Sequence, residues 1–422
     1  MSKIEEMLKR FDLENQIIAA PLSECFDMYS GMSAVTLKWQ DTGNCKFIDY
    51  MNVYMHRRVD VKALHNATVK SQNQTILQKG DVLFTAASEV PDECAIAGEI
   101  EEDFGERVFL DDHLFCLRLK RGMGDKIAKG YLKYAFNAFD FRSQVKKAVR
   151  GVTRFYVAKE DFMKLHLSLP PRPVQDEIVK ALDAMDAAVK ALEEERAARQ
   201  EQFEAMREKE MIECCSANVE RISLSEMGEF FSGLAGKSKD DFVEGNAKFL
   251  SYMDVFVNSA APTDVANFVR VMPGERQNQL QVGDIVFTGS SETKDEAGMT
   301  CVIQTEFAEP VYLNSFCFGL RPNVSVQMKP EFAKYVFRSV VVRNQIIRAS
   351  NGVTRFNVSK EALKKVQIPI PSVAVQKKIA AQLDAFAAVV AALDEEVAAR
   401  REQFAGWLEK LMKFDAKEVA VA

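Results

Sequence analysis

Gly151-Val-Thr-Arg-Phe155 recurs 201 positions later as Gly352-Val-Thr-Arg-Phe356. From this pair the match extends both ways along the chain. Downstream it continues through Lys159-Glu160 and Lys360-Glu361, Gln175 and Gln376, Leu182-Asp183 and Leu383-Asp384, to Glu201-Gln-Phe203 and Glu402-Gln-Phe404. Upstream, with small gaps, Leu22-Ser-Glu24 and Ser30-Gly31 match Leu224-Ser-Glu226 and Ser232-Gly233, and Tyr50-Met51 matches Tyr252-Met253. Gly80-Asp81 through Phe84-Thr85 likewise matches Gly283-Asp284 through Phe287-Thr288, and Lys133-Tyr134 matches Lys334-Tyr335. A repeat of this length means that one structural unit is used twice.

Within each half the hydrophobic period changes once. Asp81-Val-Leu-Phe-Thr85 and Asp284-Ile-Val-Phe-Thr288 are short, β-rich and preceded by glycine, which predicts strands between loops. Tyr131–Val149 and Phe332–Ala349 read as helices that stop before Gly151 and Asn351-Gly352. After the prolines Pro170, Pro171 and Pro173, and after Pro369 and Pro371, apolar residues step by fours and threes. They are Ile178, Leu182, Met185, Val189 and Leu192, and then Ile379, Leu383, Phe386, Val390 and Leu393. Each set is an apolar seam on one face of a long helix. Two seams of equal length in one chain most simply bury each other, and connectivity then requires an antiparallel pair with a head at each end. A helix from about Val174 to about Ile212 would span on the order of 57 Å. The expected class is α+β: two similar heads on a coiled-coil pair, with an internal pseudo-two-fold repeat. The segments are head one at 1–172, first helix at 173–215, head two at 216–372, second helix at 373–414 and a tail at 415–422.

With 422 residues, 47% hydrophobic and 27% charged, the chain can bury a core in two or three domains. A formal net charge of -6 argues against a uniformly basic nucleic-acid coat while leaving room for a locally basic face. Met1–Arg10 carries Glu5 and Glu6 among its lysines and does not read as a secretory signal, and no apolar run of membrane-spanning length occurs, so a cytoplasmic location is expected. The eight cysteines show no C-x-x-C spacing and the four histidines pair with none of them, so neither a metal site nor a disulfide framework is expected.

Positive charge collects at matched places. Arg142, Lys146, Lys147, Arg150, Arg154, Lys159, Lys164 and Arg172 precede the first long helix; Lys334, Arg338, Arg343, Arg348, Arg355, Lys360, Lys364 and Lys365 precede the second. Phosphate backbones attract such belts through counterion release.

The set of motifs resembles the specificity subunits of type I restriction-modification systems. It comprises Gly-Val-Thr-Arg-Phe at 151 and 352 leading to Leu169-Pro170 and Ile370-Pro371, Gln175 and Gln376, the Leu-Asp helices, and Leu224–Lys237 followed by Tyr252-Met253-Asp254. The resemblance covers nearly the whole chain. It implies a non-catalytic subunit whose two target recognition domains each bind one half of a bipartite, asymmetric double-stranded DNA target, with the helices setting the spacer and docking methyltransferase subunits. It implies as partners two modification subunits, which bind S-adenosylmethionine and methylate adenine, and two restriction subunits, which use ATP and Mg; this chain itself would bind no cofactor. The heads differ around Asp41–Asn44 and Val90–Phe104, as expected if they read different half-sites.

Candidate DNA contacts follow from side-chain chemistry. Thr153, Arg154, Thr354 and Arg355 place a hydroxyl and a guanidinium on a loop, suited to phosphate or a base edge. Thr85, Ser88, Thr288, Ser290 and Ser291 leave a strand with short hydroxyls suited to groove edges. Lys146, Lys147, Arg343 and Arg348 are candidate phosphate ligands. For each there is a structural reading: glycine stopping a helix, turn chemistry, or a solvated helix face. Tyr50 with Asn52, and Tyr252 with Asp254, are weaker candidates beside a reading as core aromatics with loop caps.

Catalytic readings fare poorly. Phe231-Ser-Gly-Leu-Ala-Gly236 has alanine where an S-adenosylmethionine loop needs its second glycine, and no Asn-Pro-Pro-Phe motif follows. Asp284 with Glu292 and Lys294 imitates a metal-dependent nuclease, but the matching Asp81 and Glu89 are followed by Val90-Pro91, with no lysine. A two-headed coiled-coil scaffold for other proteins is the reading from a different class.

Overall fold

Residues 17–31, 42–68, 75–216, 219–414 and 417–418 are described by the computed structural model of the chain. Met1–Arg10, Asp41 and all of the tail except Lys417–Glu418 lie outside them. The chain forms two compact units, residues 1–192 with 396–422, and residues 193–395. Each unit therefore holds a head, part of the first long helix (Arg172–Ser216) and part of the second (Val373–Met412). Among the described residues no helix is long and apolar enough to cross a membrane.

In the first unit, a four-stranded antiparallel sheet runs in the order Phe26–Ser30, Leu114–Leu119, Val82–Thr85, Ala97–Glu99. The second unit repeats that order with Gly228–Ser232, Cys317–Pro322, Ile285–Thr288 and Thr300–Val302. The register is also repeated: Val82 opposes Leu117, and Ile285 opposes Leu320. One stacked phenylalanine pair braces each core, Phe84 on Phe115 at 5.1 Å and Phe287 on Phe318 at 5.2 Å. The aspartate ahead of each central strand is buried and carries an arginine from the neighbouring strand, Asp81 with Arg118 and Asp284 with Arg321. Both Asp284 carboxylate oxygens accept from Arg321, so the nuclease-like triplet does not assemble around it.

The predicted seams are buried or half-buried along both helices. Ile178 and Leu182 share the first unit's core with Phe404, Leu408 and Leu411, and Met185 packs against it. Val189 and Leu192 are half-buried. In the second unit Ile379 and Leu383 share a core with Met211, against which Phe203 and Met206 pack. Phe386 stacks on Phe203 at 6.2 Å, Val390 is buried and Leu393 half-buried. Arg196 pairs with Asp394 at 2.7 Å. Moving from Arg196 to Phe203 on one helix moves from Asp394 back to Phe386 on the other, so the two helices run antiparallel along this stretch.

The helices expected at Tyr131–Val149 and Phe332–Ala349 are each broken in two, as Leu132–Ala135 with Phe139–Ala148 and as Pro330–Val336 with Val340–Arg348. Ala138 and Ser339 take extended backbone at the break. The kink turns the preceding residue inward as a clamp. Asn137 holds the Ala97 carbonyl, and Arg338 donates to the carbonyls of Thr300, Val255, Phe256 and Asn258. No glycine or proline marks these breaks.

Glu99 is a buried acid of the first unit with no acidic counterpart in the second. Glu99 accepts from the backbone N–H groups of Gly130 and Lys133, both at 3.0 Å, and faces the Glu101 carboxylate and the Lys133 ammonium. Burial pushes its carboxyl up to about 7. The folded state thus keeps a proton that the unfolded chain releases near the ordinary glutamate value, so this group's contribution to stability falls as pH rises between those values. Unfolding measured at pH 5.5 and pH 8 should show the first unit weaker at pH 8 by up to about 2 kcal/mol. Glu99→Gln, which cannot ionise, should flatten the difference. An unchanged profile in that variant would locate the pH dependence elsewhere. The second unit has Val302 at the matching register and should lack this dependence.

Candidate nucleic-acid interface

The repeated Gly-Val-Thr-Arg stretch forms the tip of a hairpin on a small three-stranded sheet. In the first unit Val149–Arg150 pairs with Phe155–Val157, which pairs with Ala87–Ser88. In the second, Ser350–Asn351 pairs with Phe356–Val358, which pairs with Ser290–Ser291. Closing so tight a tip requires glycine. Gly151 has φ +117 and Gly352 has φ +150, and a Cβ there would lie 2.0 Å from the Arg154 carbonyl and 1.9 Å from that of Arg355. Beyond the glycines, Val152, Thr153 and Arg154, and Val353, Thr354 and Arg355, are exposed. Arg355 donates to the Ser290 hydroxyl at 3.1 Å.

The hydroxyls expected at groove edges are a correction. Thr85 and Thr288 are fully buried, and each accepts a backbone N–H across the adjoining turn, from Ile96 at 2.9 Å and from Met299 at 3.0 Å. Ser88 accepts from the Val90 N–H and Ser291 from the Thr293 N–H, while Ser290 takes the Arg355 guanidinium. All five brace the loop that carries the hairpin sheet. Their short polar side chains serve turn geometry, and burial keeps them from a DNA groove. Tyr252 is similar, donating to the Ser290 carbonyl at 2.8 Å, and Asp254 closes a capping box with Ser251. Asn52, matching Asp254, is buried and donates to the carbonyls of Asp60 and Ala63.

Arg343 is the second correction. Its guanidinium is buried and donates to the carbonyls of Gly298, Ala297 and Asp295 at 2.7, 2.8 and 2.8 Å, and burial pulls it down to about 10. Arg142, its match, does the same for Ala95, Cys94 and Asp92. These arginines are fasteners, not phosphate ligands.

The basic belts thin accordingly. Lys146 pairs with Asp92 at 2.7 Å, Arg150 and Lys164 with Asp161, Lys334 with Asp384 and Lys364 with Glu361. Among the described residues Lys147, Arg154, Lys159, Arg348, Arg355, Lys360 and Lys365 are exposed with no ion pair, and they are the cations of the belts left to meet an outside anion. Asp111, Asp112 and His113 cluster at a strand entry, where the Asp111 carboxylate accepts from the His113 N–H.

Two features of these units are not legible in side-chain type alone. Val152 and Val353 stand at the hairpin apices, 87% and 90% exposed, and an apolar residue identical in both tips was the available signal. The repeated Gln175 and Gln376 are fully buried. Each pins the start of a long helix to its head, by accepting from the N–H of Ala128 or Lys329 and donating to two carbonyls, Lys126 and Pro170 or Gln327 and Pro371.

A stretch of 129 residues is 32% identical to the type I restriction enzyme StySPI specificity subunit of Salmonella potsdam, covering 31% of this chain and 26% of that protein. The chain thus matches about a quarter of that relative's length. The crystal structure of the type I restriction-modification S subunit from M. genitalium is similar with TM-score 0.50 at 13% identity, covering 94% of this chain and 96% of that one. A structure described as underlying complex assembly and conformational transition of the type I R-M system is similar with TM-score 0.62 at 16% identity, covering 94% and 98%. The fold is shared with both. The family model of the type I restriction modification DNA specificity domain matches twice, at residues 38–201 and 217–399, one match for each copy of the repeat, and the chain belongs to that family.

Proposed function

We propose that this chain is the DNA-reading subunit of a type I restriction-modification complex, each unit binding one half of a bipartite, asymmetric duplex target. The observation that carries this reading is duplication with matched geometry. The same sheet order, the same glycine-closed tip and the same exposed arginine occur in both units, as expected of two heads that grip one repetitive polymer. On this reading the paired helices set the unread spacer and dock two modification subunits, and two restriction subunits complete the assembly. Chemistry resides in those partners: S-adenosylmethionine on the modification subunits, ATP and Mg on the restriction subunits. The complex works on chromosomal and invading DNA and is therefore placed in the cytoplasm.

Mapping of methylated adenine in the source genome tests the proposal. A two-part motif separated by a fixed number of unspecified bases should be present, and it should vanish when this gene is deleted. An unchanged methylome in a strain whose modification subunits are active would refute it and favour a scaffold without DNA specificity.

A further inference from the structure

If the two units read different half-sites, as proposed above, then parts that are the same in both cannot tell the halves apart. The hairpin tips are the same. Val152-Thr153-Arg154 and Val353-Thr354-Arg355 are identical in sequence, close on glycines in the same strained geometry and project to the same extent. Packing explains the glycines and the following phenylalanine, which enters the small sheet; it does not explain a valine that touches almost nothing inside its own unit. A branched apolar side chain beside a hydroxyl and a guanidinium suits the sugar-phosphate backbone, where the valine covers deoxyribose while threonine and arginine meet phosphate. A protein partner is disfavoured by the exposed cations on the helix just before each tip, Lys147 in one unit and Arg348 in the other, in a chain of net charge -6.

The neighbouring turn is where the units part company. The strand Ala87–Ser88 leads into Glu89-Val90-Pro91-Asp92, and Ser290–Ser291 leads into Glu292-Thr293-Lys294-Asp295. Both turns leave the same three-stranded sheet that carries the tip. Both are also fastened from below, by Arg142 on the Asp92 carbonyl and by Arg343 on that of Asp295. The residues that the turns present differ in kind: exposed Val90 and half-buried Pro91 in the first, exposed Thr293 and Lys294 in the second. We infer that the Val-Thr-Arg tips are sequence-blind backbone anchors, and that the adjoining turns, Glu89–Asp92 and Glu292–Asp295, help to discriminate the half-sites, with Lys294 a base-reading residue of the second unit.

The test uses the chain assembled with its modification subunits, titrated across a salt series with three duplexes: the motif obtained from methylation mapping, the same duplex with the first half-site scrambled, and that with the second scrambled. In the Arg154→Gln, Arg355→Gln double variant, affinity should fall about tenfold or more. It should fall equally on all three duplexes, with a salt slope shallower by about two. Lys294→Gln should leave discrimination of the first half-site intact and shrink that of the second. Loss of discrimination in the double variant, or an equal effect of Lys294→Gln on both half-sites, would overturn the inference. A wild-type complex that binds all three duplexes alike would instead overturn the DNA-reading function itself, and this division of labour with it.

Discussion

An Arg343→Ala chain is expected to lose about 3 kcal/mol or more of stability in its second unit. Arg343 is 9% exposed, and its guanidinium supplies three donors to three carbonyls of one turn. Hydrogen bonds from a charged donor are worth about 1.5–3 kcal/mol each, and a buried carbonyl left without a donor costs about 1–3 kcal/mol. Water entering the vacated space recovers part of this, which is why the expected loss is less than the sum. The first unit should unfold as before, so calorimetry or denaturant unfolding should show one transition moved and one unmoved. Arg348→Ala supplies the comparison. It removes a cation from the same helix, Val340–Arg348, but one that is exposed, and should shift stability by no more than about 0.5 kcal/mol. Arg343→Lys should restore only part of the loss, because an ammonium cannot reproduce a planar fork spread over three acceptors. Equal shifts for Arg343→Ala and Arg348→Ala would show that the carbonyl clamp contributes nothing.

The contrast between those two arginines shows what a sequence reveals and what it conceals. Burial of an apolar stripe forces a spacing of three and four, so Ile178, Leu182, Ile379 and Leu383 could be placed on their seams from periodicity alone. Duplication then carried every inference about one head to the other. The direction of a polar side chain has no such period. Thr85 and Thr288 end strands whose four residues are all buried, so the in-and-out alternation that would expose a strand-end hydroxyl is absent. Whether such a hydroxyl faces a backbone N–H or solvent depends on a turn closed eleven residues later in sequence. For Arg343 a signal did exist. It sits between Val342 and Ile346, both buried, and so shares their helix face, whereas Arg348 lies five residues on. Charge alone, without helix face, defines the belts, and more than half of their members are internal fasteners or members of local ion pairs. The helix breaks at Ala138 and Ser339 had no local marker, because it is the carbonyls gathered by Asn137 and Arg338, distant in sequence, that favour the kink.

Gln376→Glu, a change of one amide to a carboxyl, is expected to loosen the second unit more than almost any substitution of equal size. The native amide has each atom assigned: its oxygen accepts from the Lys329 N–H at 2.8 Å, and its nitrogen donates to the carbonyls of Gln327 at 2.7 Å and Pro371 at 2.8 Å. Glutamate fits the volume but presents an acceptor to two acceptors. Ionised, it sets a buried negative charge against two carbonyl dipoles; protonated, it can serve only one of them. The expected cost is about 3–5 kcal/mol at pH 8, the range for a buried charge left uncompensated. The sign of its pH dependence follows from the same geometry. The folded state favours the protonated form, so the introduced carboxyl titrates above its unfolded value, and the variant should regain stability as pH falls through that interval. Gln376→Ala, with no charge to titrate, should lose about 2–4 kcal/mol with no such recovery. Gln175→Glu should reproduce the behaviour in the first unit, where the partners are Ala128, Lys126 and Pro170. A Gln376→Glu chain as stable at pH 8 as the native one would mean that the second long helix is held to its head by the apolar contacts of Ile379 and Leu383 alone, and that the repeated glutamine is dispensable to the junction.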